Sequence, residues 1–256
     1  VTQILKLESF FVAEDYHQDY YKKAELRYNA YKIGSGDITW LGIVDYIASK
    51  GKPVLLASGA STQDEVDIAM STLLSHTNNV ILMQCNTNYT ASLENFKYIN
   101  LNVLKEYSRR YPDTILGLSD HTPGHAAVLG AVTLGARVIE KHFTDDTTRE
   151  GPDHKFSMDF NSWKSMVDRT RELENSLGME IKKVEDNEME TVVLQRRSIR
   201  LKKDMAAGDM IMEDDLEFLR PCPKGALPPY ELQKVLGKKL TENIKSGDCI
   251  KWTNIK

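Results

Sequence analysis

His121 and His142 stand out as residues whose type and spacing could do chemistry. Each follows closely on a short apolar run, Thr114–Leu118 and Arg137–Lys141, that reads as a β-strand. If those strands are neighbours, the imidazoles converge over one end of a sheet. Two neutral imidazoles so placed suit a divalent transition metal, with water or a substrate oxygen completing the shell. They could equally be one helix cap and one packed side chain. Lys32 sits inside the apolar run Ala30–Ile33, where an unpaired ammonium is costly. Beside a rim of Ser, Thr and Gly it fits an anionic phosphate or carboxylate, although a lysine at a strand end can also reach solvent. Gly34-Ser35-Gly36 and Ser58-Gly59 offer backbone N–H groups and hydroxyls to a phosphate, or are simply tight turns. Asp37, Glu140, Asp145 and Asp153 are candidates for proton transfer or for binding hydroxyls, where surface carboxylates are also ordinary.

The elements that must position these groups alternate along the chain. Ala30–Ile33, Pro53–Ala57, Val80–Cys85, Thr114–Leu118 and Arg137–Lys141 are Val/Ile/Leu-rich without polar alternation, which predicts strands of a parallel sheet buried on both faces. Between them Ser61 is expected to cap a helix with Val66, Ala69, Met70 and Leu73 inside, and Phe96–Tyr107 to form another. Thr122-Pro123 is expected to open a third, and Asn161–Leu177 to form a last one ending at Gly178. Repeated βα units give an α/β fold, either doubly wound or a TIM barrel, and a barrel gathers its active site at the carboxyl ends of its strands. All five runs here end in small or polar residues. Beyond residue 190, short β-like pieces (Ser198–Leu201, Leu216–Leu219) between glycine turns predict a small, mostly β module.

Bulk properties narrow the class. The chain has 256 residues, 41% of them hydrophobic and 27% charged, with a net charge of −4. This is globular composition and argues against a nucleic-acid partner. The apolar runs are too short to span a bilayer, the first residues carry no signal core, and the three cysteines form no Cys-x-x-Cys pair. A cytoplasmic protein without membrane contact is expected. Charge divides unevenly: residues 196–256 carry 13 Lys and Arg against 9 Asp and Glu, so the second part is basic and the first acidic. With the polar stretch 185–195 as linker, this predicts a barrel domain at 32–184 and a separate module at 196–256.

The motifs Tyr31-Lys-Ile-Gly-Ser-Gly36, Gly117-Leu-Ser-Asp-His-Thr122, Glu140-Lys-His-Phe-Thr144 and Gly151-Pro-Asp153 resemble the sialic acid synthase family. Arg196-Arg-Ser-Ile199 and Leu219-Arg-Pro221 look like its antifreeze-like (SAF) domain. The resemblance implies a (β/α)8 barrel, a transferase and a condensation of phosphoenolpyruvate with the aldehyde of an N-acetylated amino sugar such as N-acetylmannosamine, with release of phosphate. It implies that His121 and His142 hold Mn²⁺ or Mg²⁺, and that Lys32, Ser35, Ser58 and Ser119 surround phosphoenolpyruvate. Glu140 would lie beside the metal, Tyr89 and Asp153 at the sugar, and Asp37 would assist proton transfer. Arg220 would be inserted into the partner's barrel, in a domain-swapped homodimer.

Two positions depart from the family: Asp37 stands where it often has Glu, and Thr87 where some members have Asn. In the family the Tyr-Lys-Ile-Gly-Ser strand is the fourth of eight, yet 31 residues precede Lys32. The expectation is therefore an N-terminally truncated barrel of about five βα units. Residues 1–31 form an atypical segment, in which Phe11-Val-Ala-Glu-Asp-Tyr-His-Gln-Asp-Tyr-Tyr-Lys-Lys23 resembles the carboxy-terminal region of A-type peptide methionine sulfoxide reductase. That enzyme's Gly-Cys-Phe-Trp nucleophile motif does not occur in this sequence. The alternative function is an inactive fragment whose SAF domain binds only carbohydrate or a partner protomer.

Overall fold

The structure, a computed structural model, describes residues 29–256. The first part of the segment 1–31, including the reductase-like run, lies outside the described residues. The chain divides after Gly178 into two units.

In the first unit five strands, β1 (Tyr31–Ile33), β2 (Val54–Ala57), β3 (Val80–Cys85), β4 (Ile115–Asp120) and β5 (Val138–Lys141), form one sheet in sequence order. Every pairing is parallel, and the register runs Lys32, Leu55, Ile81, Ile115 across the first four strands. This is a half-barrel of the TIM type. The expected burial on both faces holds for the central strand β3, all of whose residues are buried, but not toward the edges of the sheet. Ile33, Val54, Leu56, Leu82 and Leu118 are fully buried under the helices, but the alternate residues Lys32, Leu55, Val138 and Glu140 are only half-buried, and Ile115 is 50% exposed. Among the described residues the sheet does not close on itself, and part of its inner face, at Lys32, Leu55, Ile115, Val138 and Glu140, keeps access to solvent.

The helices α1 (Leu41–Ala48), α2 (Gln63–Leu74), α3 (Val103–Arg110), α4 (Ala126–Thr133) and α5 (Phe160–Leu177) carry the apolar residues that bury the outer face. Their starts differ from expectation in three places. Thr62, not Ser61, caps α2: its hydroxyl accepts from Glu65 N–H while the Glu65 carboxylate accepts from Thr62 N–H. Glu at the third helical position decides between two adjacent hydroxyls. Thr62→Ala is therefore expected to cost about 1 kcal/mol, read from the denaturant midpoint of unfolding. Thr122-Pro123 does not open α4, which begins at Ala126, because Thr122 is bound back to Asp120. The stretch 96–107 splits into a 3-10 segment, Leu93–Tyr98, and α3, with Asn100 at φ +49° between them. The end of α5 is as expected, with Gly178 at φ +56°.

In the second unit β6 (Ser198–Leu201) and β7 (Leu216–Leu219) pair antiparallel, over a core of Ile199, Leu201, Ile211, Leu216, Val235, Leu240 and Ile250. Gly208 and Gly247 take positive φ in the two expected turns. The stretch 185–195, expected as linker, instead carries a short helix, α6 (Met189–Gln195). Its end is tied to this unit by Cys222 N–H on Val193 O at 2.9 Å and Arg220 Nε on Gln195 O at 2.7 Å. No helix among the described residues is long and apolar enough to cross a membrane.

Candidate active site

Strand alternation places Lys32, Cys85, Ser119 and Glu140 on the inner face, with His121 and His142 just beyond β4 and β5. Lys32 Nζ lies 2.8 Å from Glu140 Oε2. This pair spans the sheet and compensates an ammonium that the sequence left in an apolar strand. Cys85, Ser119 and Glu140 share one register row. Burial pushes the Cys85 thiol up, opposed by hydrogen bonds with Ser35 and Ser119.

The imidazole centroids of His121 and His142 are 5.2 Å apart. His121 Nδ1 is 2.8 Å from Asn86 O; a carbonyl can only accept, so Nδ1 donates there and Nε2 is the ring nitrogen left for another partner. His142 Nδ1 is 3.5 Å from Asp153 Oδ2. Burial, and then the neighbouring His121, push the His142 imidazole down, against the pull of Asp153 and Glu140. The His142 ring is thereby set toward the neutral form, which is the form that can donate a lone pair. Orientation of a ring through its other nitrogen is how metal-binding histidines are generally held. Among the described residues no group of three or more His, Cys, Asp or Glu forms a cation site. The pair fits a divalent metal whose remaining positions are filled by water and substrate oxygens.

Tyr89 packs its ring 4.3 Å from that of His121, and Phe156 lies 4.9 Å from His142. Phe156 is 2% exposed and Tyr89 48%. The aromatic pair flanks the histidines, Phe156 from the buried side and Tyr89 from the exposed side. Ser35 Oγ accepts from Gly59 N–H at 2.9 Å, so the β1 and β2 rims are tied together. A Cβ on Gly59 would lie 2.6 Å from Thr87 and 2.7 Å from Ser35 Oγ, which is why glycine is required there. Asp37 ends the 3-10 turn Ser35–Asp37 that follows β1.

One expected site residue points elsewhere. The Ser58 hydroxyl donates to Met83 O at 3.0 Å and accepts from Tyr107 Oη at 2.9 Å, on the helix-facing side. Its N–H is also bound to Met83 O. Its side chain is thus a packing group, and the neighbouring inner-face position is held by Ala57. Arg220 belongs to the second unit and is described there. Lys32, Ser35, Glu140, Ser119, His121, His142, Tyr89 and Asp153 are distributed along the inner face and its carboxyl rim. The sequence reading missed Phe156, Cys85 and the buried pair Asp120–Lys141. The last had a signal: a charged residue directly before each histidine at the end of an apolar strand.

The NeuB family matches residues 12–182, and the SAF domain matches residues 196–256. The chain belongs to the NeuB family. Its match begins inside the segment 1–31. The chain is 36% identical to the N,N'-diacetyllegionaminic acid synthase of Legionella pneumophila over 229 residues, 88% of this chain and 63% of that protein. It is 30% identical to the human N-acetylneuraminate-9-phosphate synthase, over 88% of this chain and 62% of that protein. The crystal structure of N-acetylneuraminic acid synthetase from Leptospira borgpetersenii in complex with citrate superposes with a TM-score of 0.59 at 28% identity, over 66% of this chain and 57% of that one. The NeuB-family chain therefore spans less than two thirds of the length of each of these relatives.

Proposed function

We propose that this chain carries the site of a synthase that condenses phosphoenolpyruvate with the aldehyde of an N-acetylated amino sugar, the methylene carbon bonding to the aldehyde carbon while water is consumed as phosphate leaves, giving a nonulosonic acid and phosphate. The observation that carries the reading is the pairing of Lys32 with Glu140 on the same sheet face that ends in His121 and His142. Phosphoenolpyruvate is anionic at both ends and nucleophilic at its methylene carbon. Lys32 supplies the cationic anchor, with the Ser35 and Ser119 hydroxyls beside it. As the anion arrives, the ammonium shifts from Glu140 to the substrate, and Glu140 is left as a carboxylate able to accept a proton. Asp37, at the mouth of β1, is the second carboxylate available for proton transfer. His121 and His142 would hold Mn²⁺ or Mg²⁺, which when bound polarises the sugar aldehyde. Asp153 and Tyr89 border that position and would orient the sugar's hydroxyls. In the assembled enzyme, Arg220 from the SAF domain of the other protomer in a domain-swapped homodimer would complete the sugar pocket. The basic second part and acidic first part of the chain favour such an encounter.

Incubation with phosphoenolpyruvate, N-acetylmannosamine or its diacetylated trideoxy relatives, and Mn²⁺ should yield the condensation product, detected by mass. Pyruvate as the only product from phosphoenolpyruvate would reject the reading. Lys32→Met should raise the KM for phosphoenolpyruvate about 10- to 100-fold, the worth of a charge-assisted hydrogen bond, as measured by steady-state kinetics.

A further inference from the structure

Two charged residues lie on the other face of the strand ends that bear the histidines. Asp120 directly precedes His121, Lys141 directly precedes His142, and the two are register partners across β4 and β5. Their side chains are 0% and 1% exposed, and Lys141 Nζ is 2.6 Å from Asp120 Oδ2. The same ammonium donates to Thr122 O at 2.6 Å. Thr122 returns its N–H and its hydroxyl to Asp120 Oδ1, at 3.0 and 2.8 Å. The contacts close a ring in which His121 is the residue between two that Lys141 holds.

A buried ion pair is a weak source of stability, since apolar residues of similar size often serve as well or better. What it supplies is direction: the ammonium must meet the carboxylate and the carbonyl at fixed angles. Any rotation of the turn 120–122, or any slip of β5 against β4, breaks those bonds, and the same movements would swing the two imidazoles apart. We infer that Asp120 and Lys141 are positioning residues, a buried cross-strand clasp on the helix side of the sheet that sets the separation of His121 and His142 on the other side, and with it metal affinity. The inference rests on the metal role proposed for the histidines. A purely stabilising pair would affect metal binding only through the folded fraction.

The test uses the full chain and Co²⁺, whose visible absorption reports ligand geometry. Two double variants are compared, Asp120→Asn with Lys141→Gln, and Asp120→Asn with Lys141→Met. Both remove both charges, and in both the amide oxygen at position 120 can still accept from Thr122. Only the glutamine can donate across the strands. Both are expected to fold with similar thermal midpoints. The glutamine variant should bind Co²⁺ within about threefold of wild type, and the methionine variant at least about tenfold more weakly, with an altered band, as for other groups that orient metal-binding histidines. Thr122→Val, a milder change that removes one strut and keeps side-chain volume, should weaken Co²⁺ binding severalfold with little change in thermal midpoint. Wild-type Co²⁺ affinity in the folded methionine variant, or in Thr122→Val, would overturn the inference and leave the metal reading standing. A wild-type band that survives His121→Ala, or no band at all, would overturn the metal reading and the inference together.

Discussion

Replacing His121 or His142 by alanine should reduce phosphate release from phosphoenolpyruvate and the amino sugar by about 10³-fold or more, with the fold retained. The size follows from the several kcal/mol that metal polarisation of a carbonyl contributes, at about 1.4 kcal/mol per tenfold in rate. Retention of fold follows from location: both rings lie beyond the strand ends, outside the cluster of Ile33, Leu56, Leu82 and Leu118 that holds sheet to helices. The two variants should lose activity to similar extents, because one imidazole alone does not make the site. Circular dichroism and a phosphate assay on the same preparation separate loss of chemistry from loss of structure.

Lys141→Met alone is expected to have the largest effect on stability, about 3–5 kcal/mol, because it leaves the Asp120 carboxylate buried without its cation. That is a large share of the total stability of an ordinary domain. The side-chain exposures of 1% and 0% put this pair beyond the screening that makes surface pairs such as Lys164–Asp168 nearly neutral. Denaturant unfolding followed by far-UV circular dichroism gives the value. Adding Asp120→Asn to Lys141→Met should recover most of the loss. The single variant thus reports the cost of an orphaned charge, and the double variant isolates the clasp.

The five strands were legible because each is a short apolar run rich in Val, Ile and Leu, and the observed bounds fall within two residues of expectation; α1 (Leu41–Ala48) was not read from the sequence. The juxtaposition of His121 and His142 was legible because consecutive strands of a βα repeat are usually neighbours. The two charges directly preceding the histidines were just as visible, but their meaning depends on which face each residue takes. Ser58 shows the same limit. A period of two means that one residue of offset turns a side chain from substrate to helix layer, and the sequence alone does not say where β2 stops alternating regularly. Phe156 was out of reach because it arrives from the long segment between β5 and α5, where no periodicity governs the path. The helix starts were missed where two hydroxyls compete for one cap, at Ser61 and Thr62, or where a threonine is drawn to its own turn, at Thr122.

On the function proposed above, the inner face bearing Lys32, Glu140, His121 and His142 would condense phosphoenolpyruvate with an aldehyde. Phosphate release by the purified chain, with Mn²⁺ present and N-acetylmannosamine or its diacetylated relatives either added or withheld, tests it most directly. Release should require the sugar, stop on chelation of the metal, and return on adding Mn²⁺. A folded chain that releases no phosphate with any of these aldehyde sugars, or releases it equally without them, would contradict it.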